Sequence, residues 1–231
     1  MVRKSFLAFL AGILVCSLSE VVSATPLSPG QNLSLAGSTA PKGTVIAQSD
    51  TPFDAGLDGH VFFTADLRSS VIRESGGTLD FYYQVANNNS YHIQSVQSIA
   101  ISGFACVSTD ADFVTASNMQ DAPTGANRSS TGDVIQWTSF PYTYGEFFPP
   151  AATTNTLVIK TNATAYSASG AAVAIQFIDT QDIAGVPPTN AFGVLSSFAP
   201  NLSGAVPEPA TTSLAAIGAI LLAVHRKLRR C

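Results

Sequence analysis

The sequence predicts an all-β protein, an antiparallel β-sandwich of seven or eight strands, flanked by an N-terminal signal peptide and a C-terminal transmembrane helix. Three observations carry this reading. Short runs of alternating apolar and polar residues recur through the middle of the chain, with no long stretch of helical period. Clusters of Gly, Asn and Pro punctuate those runs. Basic residues crowd the two ends, with Arg3 and Lys4 at the start and Arg226, Lys227, Arg229 and Arg230 at the finish. The 231 residues are 46% apolar and 11% charged, which supplies a core and excludes a disordered chain.

Residues 1–24 read as the signal peptide. A basic Met1-Val-Arg-Lys4 precedes the uncharged stretch from Ser5 to Leu18, and Val22-Ser23-Ala24 ends the segment in small or β-branched residues. Signal peptidase is therefore expected to cut between Ala24 and Thr25. The apolar run is short for a membrane span, and Leu14-Val15 before Cys16 lacks the small residue that a lipoprotein site needs.

Residues 25–205 are expected to form one exported domain. Its first part, to residue 50, is rich in Pro, Gly and Ser and reads as a loose lead-in or an edge strand. The clearest strand is Leu79 to Val85, where Leu79, Phe81, Tyr83 and Val85 share one face and Asp80, Tyr82 and Gln84 share a wet one. Similar runs cover His60 to Asp66, Val96 to Phe104, Asp112 to Thr115, Val134 to Phe140, Leu157 to Thr161 and Val173 to Ile178. Residues 199–209 read as a linker, from Pro200, Gly204, Pro207 and Pro209. Between residues 25 and 205 five Lys+Arg stand against thirteen Asp+Glu, a net −8 that excludes nucleic acid as a partner bound through phosphate neutralisation.

Residues 206–231 have three parts: Pro207-Glu208-Pro209, the uncharged run 210–224, and the basic end 225–231. Fifteen residues make about 22 Å of helix, short of the hydrocarbon core of roughly 30 Å. The cluster Arg226, Lys227, Arg229 and Arg230 then acts as a stop-transfer flank on the cytoplasmic side. In these three parts, taken in order, the tail resembles the PEP-CTERM sorting signal of Gram-negative bacteria. The resemblance covers about the last 26 residues. It implies that Pro207, Glu208 and Pro209 are recognised by an exosortase, a membrane-embedded transpeptidase-like enzyme. It further implies a carrier linked to exopolysaccharide and biofilm, held transiently at the inner membrane and then in the cell envelope, on the outer surface or in the extracellular matrix. The expected partners are signal peptidase, the exosortase, the membrane through the tail, and exopolysaccharide. Cys231 departs from the pattern, and nothing in the sequence explains it. A eukaryotic lipid-anchor signal is the rival, and the basic terminus argues against it.

Chemistry inside the domain is sparse. No Gly-x-Ser-x-Gly elbow occurs, and His60 and His92 show no ligand spacing. Glu74 and Glu146 show no pairing for glycoside hydrolysis. No catalytic residue is assigned, and no cofactor is expected beyond a loosely held Ca²⁺ near Asp50, Asp54 and Asp58, where Asp54-Ala-Gly-Leu-Asp58-Gly59 has part of an EF-hand loop. Cys106 is the domain's lone cysteine, so no intrachain disulfide can form there, and its strand-like context predicts a buried side chain. The best binding candidate is the aromatic stretch Trp137, Phe140, Tyr142 and Tyr144, whose rings could stack on sugar. The functional expectation is an exported, non-catalytic envelope or matrix protein. Its alternative is a secreted carbohydrate-binding module or glycoside hydrolase.

Overall fold

Alternation builds the strands, and register turns them into a sandwich. The computed structural model describes residues 26–37, 42–57, 60–88, 95–115, 122–138, 140, 151–178 and 190–201. Among these the protein is all-β, with eleven strands and no helix. They are β1 (Asn32–Ser34), β2 (Thr44–Leu57), β3 (His60–Arg73), β4 (Leu79–Ala86), β5 (Ser95–Ile101) and β6 (Thr109–Val114), followed by β7 (Gly125–Arg128), β8 (Ile135–Thr138), β9 (Thr156–Thr161), β10 (Tyr166–Ile178) and β11 (Asn190–Pro200).

Hydrogen bonding joins them in the order β1-β7-β8-β5-β10-β11-β2-β3-β4-β9-β6, every pairing antiparallel. So long a ladder cannot stay flat under strand twist, and it folds over into two layers. The fold line lies between β11 and β2, which share the single registered pair Phe192–Gly56. Layer one is β2-β3-β4-β9-β6, and layer two is β1-β7-β8-β5-β10-β11. Beside the seam the chain needs glycine: a Cβ on Gly193 would stand 2.5 Å from the Phe53 ring.

The inner faces meet in one core. Phe53 of layer one packs on Phe177 of layer two at 6.3 Å between centroids, and Phe81 meets Phe104 edge-on at 5.5 Å. The Tyr83 hydroxyl, buried in β4, donates to the Phe198 carbonyl of β11 at 2.6 Å. Trp137, 0% exposed in β8, donates from Nε1 to the Asp112 carbonyl of β6 at 3.3 Å. That contact occupies a backbone acceptor of the edge strand β6, and the Phe113 amide donates to Asp112 Oδ1 at 2.8 Å.

Where β1, β7 and β6 come together, a buried guanidinium replaces apolar packing. Arg128 donates to four carbonyls: Gly132 from Nε at 2.9 Å, Leu27 at 3.1 Å, Phe104 at 3.0 Å and Val107 at 2.7 Å. The forked donor geometry of arginine suits this convergence.

Several expectations need correction. The stretch to residue 50 contains the edge strand β1, as one of the two alternatives had it, and half of β2, a 14-residue strand inside the ladder that carries Pro52 and Asp54 and corrects the loose lead-in. Residues 199 and 200 belong to β11 instead of a linker. The face of Asp80, Tyr82 and Gln84 is wet only in part: Asp80 and Tyr82 are buried, Tyr82 packing with Ile72 and Val158 in a second apolar cluster, while Gln84 is half-buried. Cys106 is exposed, because β5 ends at Ile101 and the cysteine sits in a turn with φ of 63°. Residues 1–25 and 202–231, on which the expected signal peptide and sorting tail fall, lie outside the described residues. No helix among the described residues is long and apolar enough to cross a membrane.

A polar groove on the outer face of layer one

The candidate site arises from two rows of outward side chains. Strand register sets Gln48, Ser70, Tyr82 and Val158 side by side across β2, β3, β4 and β9. Two residues along each strand, the next row begins Asp50, Arg68, Gln84. Neighbours within a row stand about 4.8 Å apart across the ladder and the two rows about 6.6 Å apart along the strands, so their polar tips can converge on one small molecule. Between the rows lies a groove of about 470 Å³, lined by these polar residues together with Ser49, Ser69, Tyr83 and Thr156.

Its polar groups are tied down. Arg68 Nε stands 3.5 Å from Asp50 Oδ2, and its Nη2 donates to Asn88 Oδ1 at 3.4 Å. Asn88 in turn donates to Asp66. Gln84 Nε2 donates to the Thr154 carbonyl at 2.9 Å and to the Thr156 hydroxyl at 3.3 Å. The Asp66 carboxyl is raised above the usual range by burial and by the charge of Asp50, with Arg68 opposing.

Next to the groove, towards Arg73, the same face turns acidic. Asp80, Lys160 and Asp110 form a row across β4, β9 and β6. Burial pushes Asp80 up to about 7, aided by the hydrogen bond and negative charge of Glu74 and resisted by Lys160. Its Oδ2 is buried with no hydrogen-bond partner, an arrangement far less costly for a protonated acid than for a carboxylate. Burial also raises Asp110 to about 6, against Lys160 and with Asp112. The Tyr82 phenol is raised by burial and then by Asp80, Glu74 and Asp112.

The residues singled out from the sequence end up elsewhere. Trp137 is inside the core and Phe140 is 4% exposed, so neither ring offers a stacking face; this corrects the sugar-stacking expectation for those two. Tyr142 and Tyr144 lie outside the described residues. Asp50 and Asp54 stand four residues apart in β2, about 13 Å at strand rise, too far to share one Ca²⁺. They lie in a strand instead of the surface loop expected, and Asp58 is outside the described residues. Among the described residues no three His, Cys, Asp or Glu side chains converge to hold a metal. Ala24, Thr25, Pro207, Glu208, Pro209 and the cluster Arg226, Lys227, Arg229 and Arg230 also fall outside them.

The groove itself was missed. Its signal was the polar pairs Gln48/Asp50, Arg68/Ser70 and Tyr82/Gln84, each spaced by two in a strand whose other face is largely apolar. Searches of protein-family models, curated proteins and solved structures find no match to this chain.

Proposed function

We propose that the chain is an exported, non-catalytic envelope or extracellular-matrix protein, sorted and anchored through its C-terminal tail. The observation that carries this reading is the order of the ends around an acidic middle. A basic n-region with a short apolar run opens the chain, and Pro207-Glu208-Pro209, an apolar run and a basic cluster close it. The charge bias holds both basic ends inside, which leaves the acidic domain outside. The resemblance to PEP-CTERM tails adds the exosortase as the processing partner and exopolysaccharide as the setting.

Mass spectrometry of both termini in an exosortase-bearing host tests the proposal. The mature chain is expected to begin at Thr25 and to lack the residues beyond the Pro207-Glu208-Pro209 region. The substitution Glu208→Gln preserves apolar length and basic flank, so a plain hydrophobic anchor is indifferent to it and a recognised signal is processed poorly. Normal processing after Pro207, Glu208 and Pro209 are all replaced by Ala would remove the sorting role.

A further inference from the structure

We propose that the groove on the outer face of β2, β3, β4 and β9 is a saccharide site, taking one neutral pyranose unit of a glycan between the Asp50–Arg68 pair and the carboxamides of Gln48 and Gln84. The proposal deepens the matrix reading, on which it rests for exopolysaccharide as the setting, and goes beyond its sorting part, which concerns the chain ends.

Shape is the first ground. Outer faces of sandwiches are shallow, whereas this one holds a concavity of about 470 Å³, within the roughly 300 to 1,000 Å³ usual for small-ligand sites. Chemistry is the second. A pyranose presents hydroxyls that both donate and accept, and it is bound best by planar groups with paired donors or acceptors. Arg68, Asp50, Gln48 and Gln84 supply four such groups, and Ser70 adds a hydroxyl. Gln84 spends its Nε2 on Thr154 and Thr156, which fixes the amide plane and leaves its carbonyl oxygen to accept from a ligand. Arg68, held by Asp50 and Asn88, retains donors beyond those it uses. Groups already fixed lose little freedom on binding.

Charge selects the class of sugar. Asp50 and Arg68 cancel within the groove, and the surrounding domain is net acidic, with Asp112 on the same face. Uronic or sulfated glycans would approach against this field, and a neutral sugar meets no such barrier. Tyr82, buried against Ile72 and Val158, closes the floor of the groove and offers no ring face to a sugar, so recognition rests on the polar groups above it.

The test uses the purified full chain in a detergent without sugar headgroups. The probes are the methyl pyranosides of glucose, galactose, mannose and N-acetylglucosamine, with methyl glucuronide as the anionic comparison. Saturation-transfer difference NMR is expected to detect at least one neutral probe, bound more tightly than the glucuronide. Ser70→Phe fills the groove and Arg68→Gln removes the forked donor; each is expected to weaken that probe about tenfold. Arg68→Gln, an exposed change, keeps the test valid if Ser70→Phe fails to fold. Val194→Lys, on the opposite layer, is expected to leave binding unchanged. Absence of transfer to all four neutral probes, equal binding of the glucuronide, or equal loss from Val194→Lys would overturn the site. Terminal processing read by mass spectrometry is indifferent to Ser70→Phe, so failure here and failure of the sorting proposal are separable.

Discussion

The two layers share one core and differ in what they show to solvent. Every charged residue in the strands of the sandwich belongs to layer one except Arg128, and Arg128 is buried. Layer two turns outward a row of Val194, Ala174, Ala100, Gln136, Asn127 and Asn32, with no charge in it. Layer one carries Asp50, Asp54, Asp66, Arg68, Arg73, Asp80, Asp110, Asp112 and Lys160. The contrast teaches that the chemistry of an outer face is separable from the fold. Both layers bury the same kind of apolar stripe, and among the described residues the paired charges and shifted carboxyls lie on layer one.

The largest way to break this contrast is to remove the single charge of layer two. Arg128→Met keeps an unbranched chain of similar reach and strips the donors from four carbonyls. Unsatisfied buried acceptors are expensive, so a loss of at least about 3 kcal/mol is expected in urea unfolding. Arg128→Lys is expected to recover little of it, because an ammonium lacks the fork. Next comes the seam. Gly193→Ala puts a Cβ into the Phe53 ring, and a cost of about 2 kcal/mol is expected. Phe53→Leu in the same chain should return part of that stability, a coupling that a clash elsewhere would not show.

How far these features were legible depended on whether the signal was local. The inward face of β4, Leu79, Phe81, Tyr83 and Val85, was read correctly from alternation alone. Its outward face was misread because Asp80 and Tyr82 are polar in type and buried in place, against neighbours on β3 and β9 that no local window contains. β2 was missed because Pro52 and two aspartates argue against a strand; the Asp58-Gly59 dipeptide, a known hairpin signal, was read as part of an ion loop. β7 gives no strand signal of its own, because Gly125 opens it and a buried arginine closes it. β11 has small residues and weak alternation, and its burial comes from β2 and β4. The groove needs the register of four strands, and register is a property of pairs.

Layer one also makes its stability depend on pH. Asp80 is raised to about 7 and Asp110 to about 6, both above the ordinary value near 3.8. For groups raised on folding, the protonated form is the one the fold favours. Their contribution is complete below about pH 4 and is lost as pH climbs through 6 and 7. Urea midpoints are therefore expected to fall between pH 5 and pH 8, by on the order of 2 kcal/mol in all. Asp80→Asn is expected to flatten most of that slope. A profile that stays steep in this variant would place the titrating group elsewhere.

The smallest expected effects are on the exposed faces themselves, and they sharpen the contrast most. Asp50 and Arg68 are an exposed pair, with side chains 55% and 43% accessible and 3.5 Å apart. A double-mutant cycle of Asp50→Asn and Arg68→Gln is expected to give no more than about 0.5 kcal/mol of coupling, since water screens the charges and two side chains lose freedom in holding them together. Val194, 70% exposed in layer two, is expected to tolerate lysine within about 0.5 kcal/mol, the ordinary range for a surface change in a strand. Equal and small effects in the two layers would mean that the charges of layer one are not retained for stability. A coupling above about 1 kcal/mol at Asp50–Arg68 would reverse that inference, making the pair a structural clamp across β2 and β3 and the groove beside it a by-product of how those strands are held.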